Sequence, residues 1–110
     1  SESTLETDII QEIHERTIKN FMDVLILTEL EKKGSMSGHD FTVFVHQKFH
    51  IMMSSGTIYS VLYSLERDEL IKGSQTSTKR VYKLTDKGEK TIKALLEACE
   101  LIQSFMATLF

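Results

Sequence analysis

The chain contains no proline and no tryptophan, and it has a single cysteine. Without proline, no helix interior is forced to break, which suits a mostly helical protein. One cysteine, Cys99, cannot build an internal disulfide framework and fits a reducing compartment, so a cytoplasmic location is expected. One cysteine and four histidines also fall short of the usual zinc-finger ligand spacing. The longest purely apolar run, residues 24–27, is far below the roughly 20 residues that cross a bilayer, so no membrane partner is expected. No basic start followed by an apolar stretch is present, so no secretory signal is expected. Glycine is sparse, and Gly34, Gly38, Gly56, Gly73 and Gly88 punctuate the chain.

What is present is helical periodicity and an uneven charge. At 110 residues the chain predicts one domain with a modest core. The formal net charge of −3 hides an asymmetry. Segment 1–17 carries Glu2, Glu6, Asp8, Glu12 and Glu15 against Arg16 alone. Segment 72–93 carries Lys72, Lys79, Arg80, Lys83, Lys87, Lys90 and Lys93 against Asp86 and Glu89. A local basic stretch in a mildly acidic protein is the footprint of a nucleic-acid contact. A solvated lysine face is the plainer alternative.

Leu5, Ile9 and Ile13 predict an amphipathic helix over residues 3–16. A more apolar helix follows over 18–33 and ends at Lys32, Lys33 and Gly34; the two could be one bent helix. Residues 35–38 read as a turn, with Ser37 as N-cap of a helix over 39–49. Ser54 or Ser55 then caps a helix over 54–69 with Ile58, Val61, Leu62 and Leu65 inward. Two helices joined by a short connection predict a helix-turn-helix. Residues 72–84 read as a two-stranded hairpin with a loose basic tip. Thr85 caps a single last helix over 86–110, roughly 37 Å long. Its stripe of Ile92, Leu95, Leu96, Cys99, Ile102, Phe105, Met106 and Leu109 is the expected interface with a second copy of the chain. A helix exposed only to water has no need of that stripe.

The expected fold is therefore mainly α (α+β), a winged helix-turn-helix with a two-stranded β wing and long N- and C-terminal dimerisation helices. It divides into an acidic N-terminal helix (1–17), a DNA-binding winged helix-turn-helix (18–85) and a C-terminal dimerisation helix (86–110). The words are specific as well. Gly56-Thr57-Ile58-Tyr59, followed by Leu62, Leu65, Glu66 and then Leu70-Ile71, resembles the recognition-helix signature of the PadR-like transcriptional regulators. Ser37-Gly38-His39-Asp40 and Arg80-Val81-Tyr82-Lys83-Leu84-Thr85 look like two further blocks of that family. Glu69 stands where the family usually has glycine, and Ser55 where it often has proline.

The resemblance implies double-stranded DNA as partner, a homodimer, and regulation, expected to be repression. It also implies that a small-molecule effector is held between subunits in some members; without tryptophan to stack on it, no effector is assigned. The free N–H groups at the start of helix 54–69 suit a phosphate, beside Ser54, Ser55, Gly56 and Thr57. Ser60, Tyr63, Ser64 and Arg67 are expected to point outward, with Tyr59 on a flank. Tyr59 and Tyr63 are read equally well as packing or as DNA contacts. Lys79 and Arg80 are the expected backbone or minor-groove contacts of the wing. Hydroxyl groups discriminate bases less well than arginine does, which keeps open a non-specific architectural DNA-binding protein. The acidic first helix, which would oppose DNA if it lay on that side, keeps open a winged-helix protein-interaction module. His46 and His50 at i, i+4 could chelate a metal, but nothing completes the site, and no metal or cofactor is expected. No catalytic constellation stands out, so no enzyme is expected.

Overall fold

The computed structural model describes residues 2–110, with side chains from residue 4 onward. Ser1 and the side chain of Glu2, both in the acidic segment, lie outside the described residues. Helix α1 (Glu2–Asn20) runs almost without interruption into α2 (Met22–Lys33). Phe21 leaves helical geometry at φ −107° and ψ 22°. The ladder nonetheless continues across it, from the Phe21 N–H to Thr17 and from the Leu25 N–H to Phe21. The two helices thus behave as one bent helix. α2 enters the core through Met22, Ile26, Leu27 and Leu30, and α1 reaches its edge through Ile18. Gly34 stops it at φ 86° and returns its N–H to the Leu30 carbonyl.

The stretch expected as a turn contains a short strand, β1 (Met36–Ser37). With β2 (Ile71–Gln75) and β3 (Arg80–Leu84) it forms an antiparallel sheet ordered β1-β3-β2. Met36 pairs with Tyr82 and Ser37 with Val81. The wing is the expected two-stranded hairpin, and a third strand joins its inner edge. Two residues show no alternation to read; the free edge of β3 recruits them.

Ser37 then caps α3 (Gly38–Phe49) in a reciprocal box. Its Oγ accepts from the Asp40 N–H at 3.2 Å, and Asp40 Oδ2 accepts from the Ser37 N–H at 2.9 Å. The Ser37 N–H holds the Asp40 carboxyl below its ordinary pKa, against the opposing pull of burial. Phe41 and Val45 of α3 meet Ile58, Leu62 and Leu65 of α4 (Ser55–Arg67) in the core. Each fully buried side chain of this kind contributes roughly 1.5–3 kcal/mol.

Helix α4 ends on Glu69, which has φ 62°. The Leu70 N–H bonds to the Leu65 carbonyl and the Glu69 N–H to that of Glu66. That is a left-handed C-terminal cap of the kind glycine normally supplies. The family's usual glycine at this position thus has a physical reason, and glutamate adopts the same conformation.

Thr85 caps α5 (Asp86–Glu97), accepting from the Gly88 N–H at 3.0 Å. The single C-terminal helix expected over 86–110 is instead two, α5 and α6 (Cys99–Ala107), parted at Ala98. Residues 108–110 lie past the helix. Alanine is the best helix former, so no residue type announces the break. The radius of gyration is 15.8 Å, against about 13 Å for a compact domain of this length. Among the described residues, no helix is long and apolar enough to cross a membrane.

Candidate nucleic-acid interface

Helix α4 has one buried face and one open one. Ser54 caps it: Ser54 Oγ accepts from the Thr57 N–H at 3.1 Å and lies 2.9 Å from Thr57 Oγ1. Both hydroxyls are therefore engaged in the cap, while the residues remain exposed. Ser55 and Gly56 are exposed beside them. A side chain at Gly56 would meet only Ser54 Oγ, at 3.9 Å, so nothing in the chain itself calls for glycine there. The opposite holds at Gly38, where an added Cβ would strike the Tyr59 hydroxyl and ring. Tyr59 is thus packed on one edge against Gly38 and 49% exposed. Tyr63 is 70% exposed and stands clear of the core.

The outward residues do not share one direction. Ser60 and Ser64 border a shallow hollow with Lys19, Asn20 and Asp23 at the α1–α2 junction. Glu66 points the other way, to the wing. Arg67 is exposed and bonds the neighbouring Asp68 at 3.5 Å.

The two basic wing residues differ sharply. Lys79 is exposed at a closed turn in which its N–H donates to Thr76 Oγ1 and its carbonyl accepts from the Thr76 N–H and hydroxyl. The tip expected to be loose is therefore ordered. Arg80 is engaged: its Nη2 donates to Glu66 Oε2 at 2.8 Å. Its guanidinium lies 5.7 Å from the centre of the Tyr82 ring. Its pKa is raised, first by the hydrogen bond to Glu66. The Tyr82 hydroxyl is pushed up by burial.

The sequence places Lys72 and Lys83 in the basic stretch but does not pair them. They are direct cross-strand partners and both exposed. Like charges opposite each other on a ladder are unfavourable, and an anion over the pair relieves that. The cross-strand register is the signal that would have singled them out. Lys87, by contrast, donates to the Asp68 carbonyl at 2.9 Å and serves the end of α4.

The expected dimer stripe divides. Ile92 is buried in the core of its own chain, so it is not left for a partner as expected, and Leu95 is half-buried against that core. Leu96, Cys99, Ile102, Phe105, Met106 and Leu109 are exposed, as is Leu101, which the stripe omitted. Among the described residues, no histidine, cysteine, aspartate and glutamate group is arranged to hold a metal.

Comparison with known proteins agrees with this architecture. A PadR family transcription regulator from hypervirulent Clostridium difficile is 27% identical, covers 81% of this chain and 97% of its own, and superposes with a TM-score of 0.68. Bacillus subtilis PadR, solved in complex with operator DNA, is 27% identical over 68% of this chain and 45% of its own, at TM-score 0.59. A winged-helix DNA-binding protein from STIV, 22% identical over 77% of this chain and 91% of its own, shares the fold at TM-score 0.61. No protein of curated function matches the chain. The transcriptional regulator PadR-like family matches residues 26–94, most of the chain, and the chain belongs to that family.

Proposed function

We propose that this chain is a homodimeric, sequence-specific DNA-binding repressor that sets α4 in the major groove and the wing on phosphates or the minor groove. The observation that carries this reading is the open N-terminal half of α4. There Ser55, Gly56 and Thr57 are exposed, with Tyr63 exposed further along, on a helix whose other face is core, and the first free N–H groups suit a phosphate. Gly56, unneeded for packing, leaves room for a backbone to come close. Tyr59, Ser60, Ser64 and Arg67 flank that surface, and Lys79 with the Lys72–Lys83 pair supplies positive charge on the wing.

The dimer reading is supported by the uncovered apolar side of α6, where Leu101 is 75% and Phe105 62% exposed. Apolar patches of this kind mark interaction surfaces. The chain acts in the cytoplasm on DNA and has no catalytic role. An effector bound between subunits belongs to this reading without an assigned identity.

Duplex selection from a random-sequence pool at near-physiological salt, with mass by light scattering, tests it. A palindrome with half-sites about one helical turn apart is the expected result. Retention without enrichment would identify an architectural protein, and a monomer that binds no duplex would overturn the reading.

A further inference from the structure

The basic residue that the sequence places most naturally against DNA sits in a seat made by its own chain. Arg80 and Tyr82 lie on the same face of β3, and Tyr82 pairs with Gly73 on β2. Because Gly73 has no side chain, the Arg80 guanidinium can lie across it, over the Tyr82 ring. A Cβ at Gly73 would come within 2.5 Å of Arg80 Nε. From there Nη2 reaches Glu66 Oε2 on α4. The same Oε2 accepts the Gly73 N–H at 3.1 Å. One carboxylate oxygen thus ties the open edge of the wing and its arginine to the helix expected to enter the major groove. Both side chains remain partly exposed, at 44% for Arg80 and 33% for Glu66.

We infer that Glu66, Gly73 and Arg80 form a strut that sets the angle between the wing and α4, and that Arg80 is a positioning residue rather than a phosphate contact. Geometry makes the distinction physical. The guanidinium is already committed, through Nη2, to the Glu66 carboxylate and lies over the Tyr82 ring, so a phosphate would have to compete with both for it. The phosphate-binding work of the wing then falls to Lys79 and the Lys72–Lys83 pair. The DNA half of the inference rests on the reading above; the strut itself does not.

Two probes separate the roles: the duplex that wild type enriches from a random pool, and a duplex of unselected sequence. Variants Glu66→Ala, Arg80→Gln and Arg80→Lys are compared with Lys79→Gln, each checked by thermal melting. For a strut, all three lower affinity for the enriched duplex about tenfold, the scale of one mismatched base pair. Affinity for the unselected duplex and its salt slope stay unchanged. Lys79→Gln instead weakens both probes and lowers the log–log salt slope by about 0.9.

Arg80 as a phosphate contact would behave like Lys79, would tolerate lysine, and would bind more tightly in Glu66→Ala, which removes a negative charge. Any of those results overturns the inference. Amide hydrogen exchange of Gly73 in the free protein gives a readout without DNA: Glu66→Ala should speed it, while the β2 amides bonded to β3 stay protected. If wild type enriches no duplex, the DNA reading fails. The strut is then judged on Gly73 alone, and an unchanged exchange rate refutes it.

Discussion

In α4, Ile58, Leu62 and Leu65 form an apolar stripe buried in the core against α2, α3 and β2. In α6, Leu101, Ile102 and Phe105 form another that nothing in the chain covers. α1 resembles α6 in this respect, with Leu5, Ile9 and Ile10 more than half exposed. The pattern of residues is of one kind in both regions, and only its surroundings differ. The central body, from α2 to α5, holds the buried core, whereas most apolar side chains of the terminal helices are left uncovered by this chain; under the proposed dimer a second subunit covers them. Their energetics should separate by one criterion. Changes in the body should act equally at every protein concentration, and changes in the terminal stripes only where subunits associate.

The largest effect contrasts two phenylalanines. Phe41 is fully buried, and Phe41→Ala should lower the unfolding free energy by about 3–5 kcal/mol at any concentration. Phe105→Ala removes the same group from an exposed site. It should leave a dilute chain as stable as wild type and weaken self-association in sedimentation. Urea unfolding at two concentrations reads both. An equal loss for Phe105→Ala in dilute solution would mean that α6 is already covered within one chain.

Second in size is Gly88→Ala. Its Cβ would run into the Leu70 carbonyl oxygen, a backbone atom already accepting the Thr85 N–H at 3.1 Å. Because neither partner can swing away, the expected cost is about 1–3 kcal/mol. It should again be independent of concentration, because the clash joins α5 to the start of the wing and no second subunit is involved.

What was legible in the sequence follows the same division. The caps Ser37, Ser54 and Thr85 are single-residue signals with a local mechanism, and each starts the helix expected of it. Periodicity identified the inner face of α4, because Ile58, Leu62 and Leu65 repeat at helical spacing. Periodicity could not separate Ile92 from Ile102, which belong to one stripe but differ in what lies over them. The break at Ala98 has no residue signal. Glu66 and Arg80 are 14 positions apart and meet only after α4, the cap at Glu69 and the hairpin have all formed. The residue types along α4 and the wing were thus legible, and their partners within the chain were not.

The capping box offers a pH-dependent version of the comparison. The Asp40 carboxyl has a folded pKa below its ordinary value, chiefly through the Ser37 N–H. It therefore contributes stability above about pH 4, the unfolded value, and loses it as the pH falls toward the folded one. Wild type should exceed Asp40→Asn near neutral pH by about 1 kcal/mol, the usual scale of a cap. The difference should vanish in acid. Thermal melts from pH 7 to pH 2, repeated at two protein concentrations, check this. A gap that persists in acid would show that the charge on Asp40 does not matter. A gap that depends on concentration would assign the box to association.

The smallest expected effect is a gain. Glu69 holds φ 62° at the end of α4. A left-handed conformation costs an L-residue roughly 1–2 kcal/mol. Glycine removes that cost but gives back about 0.5–1 kcal/mol in the greater freedom of the unfolded chain. The local bonds survive the exchange, since the Glu69 carbonyl accepts the Thr85 hydroxyl and the Leu70 N–H reaches Leu65, all through backbone at this position. Glu69 is exposed, and no ion pair is recorded for it among the described residues. Glu69→Gly should therefore stabilise the central body by about 0.5–1 kcal/mol in urea unfolding. The gain should be the same at low and high protein concentration, because the cap lies between α4 and the wing. A loss instead of a gain would show that the glutamate side chain supports this turn, and the left-handed cap would then be held by more than backbone hydrogen bonds.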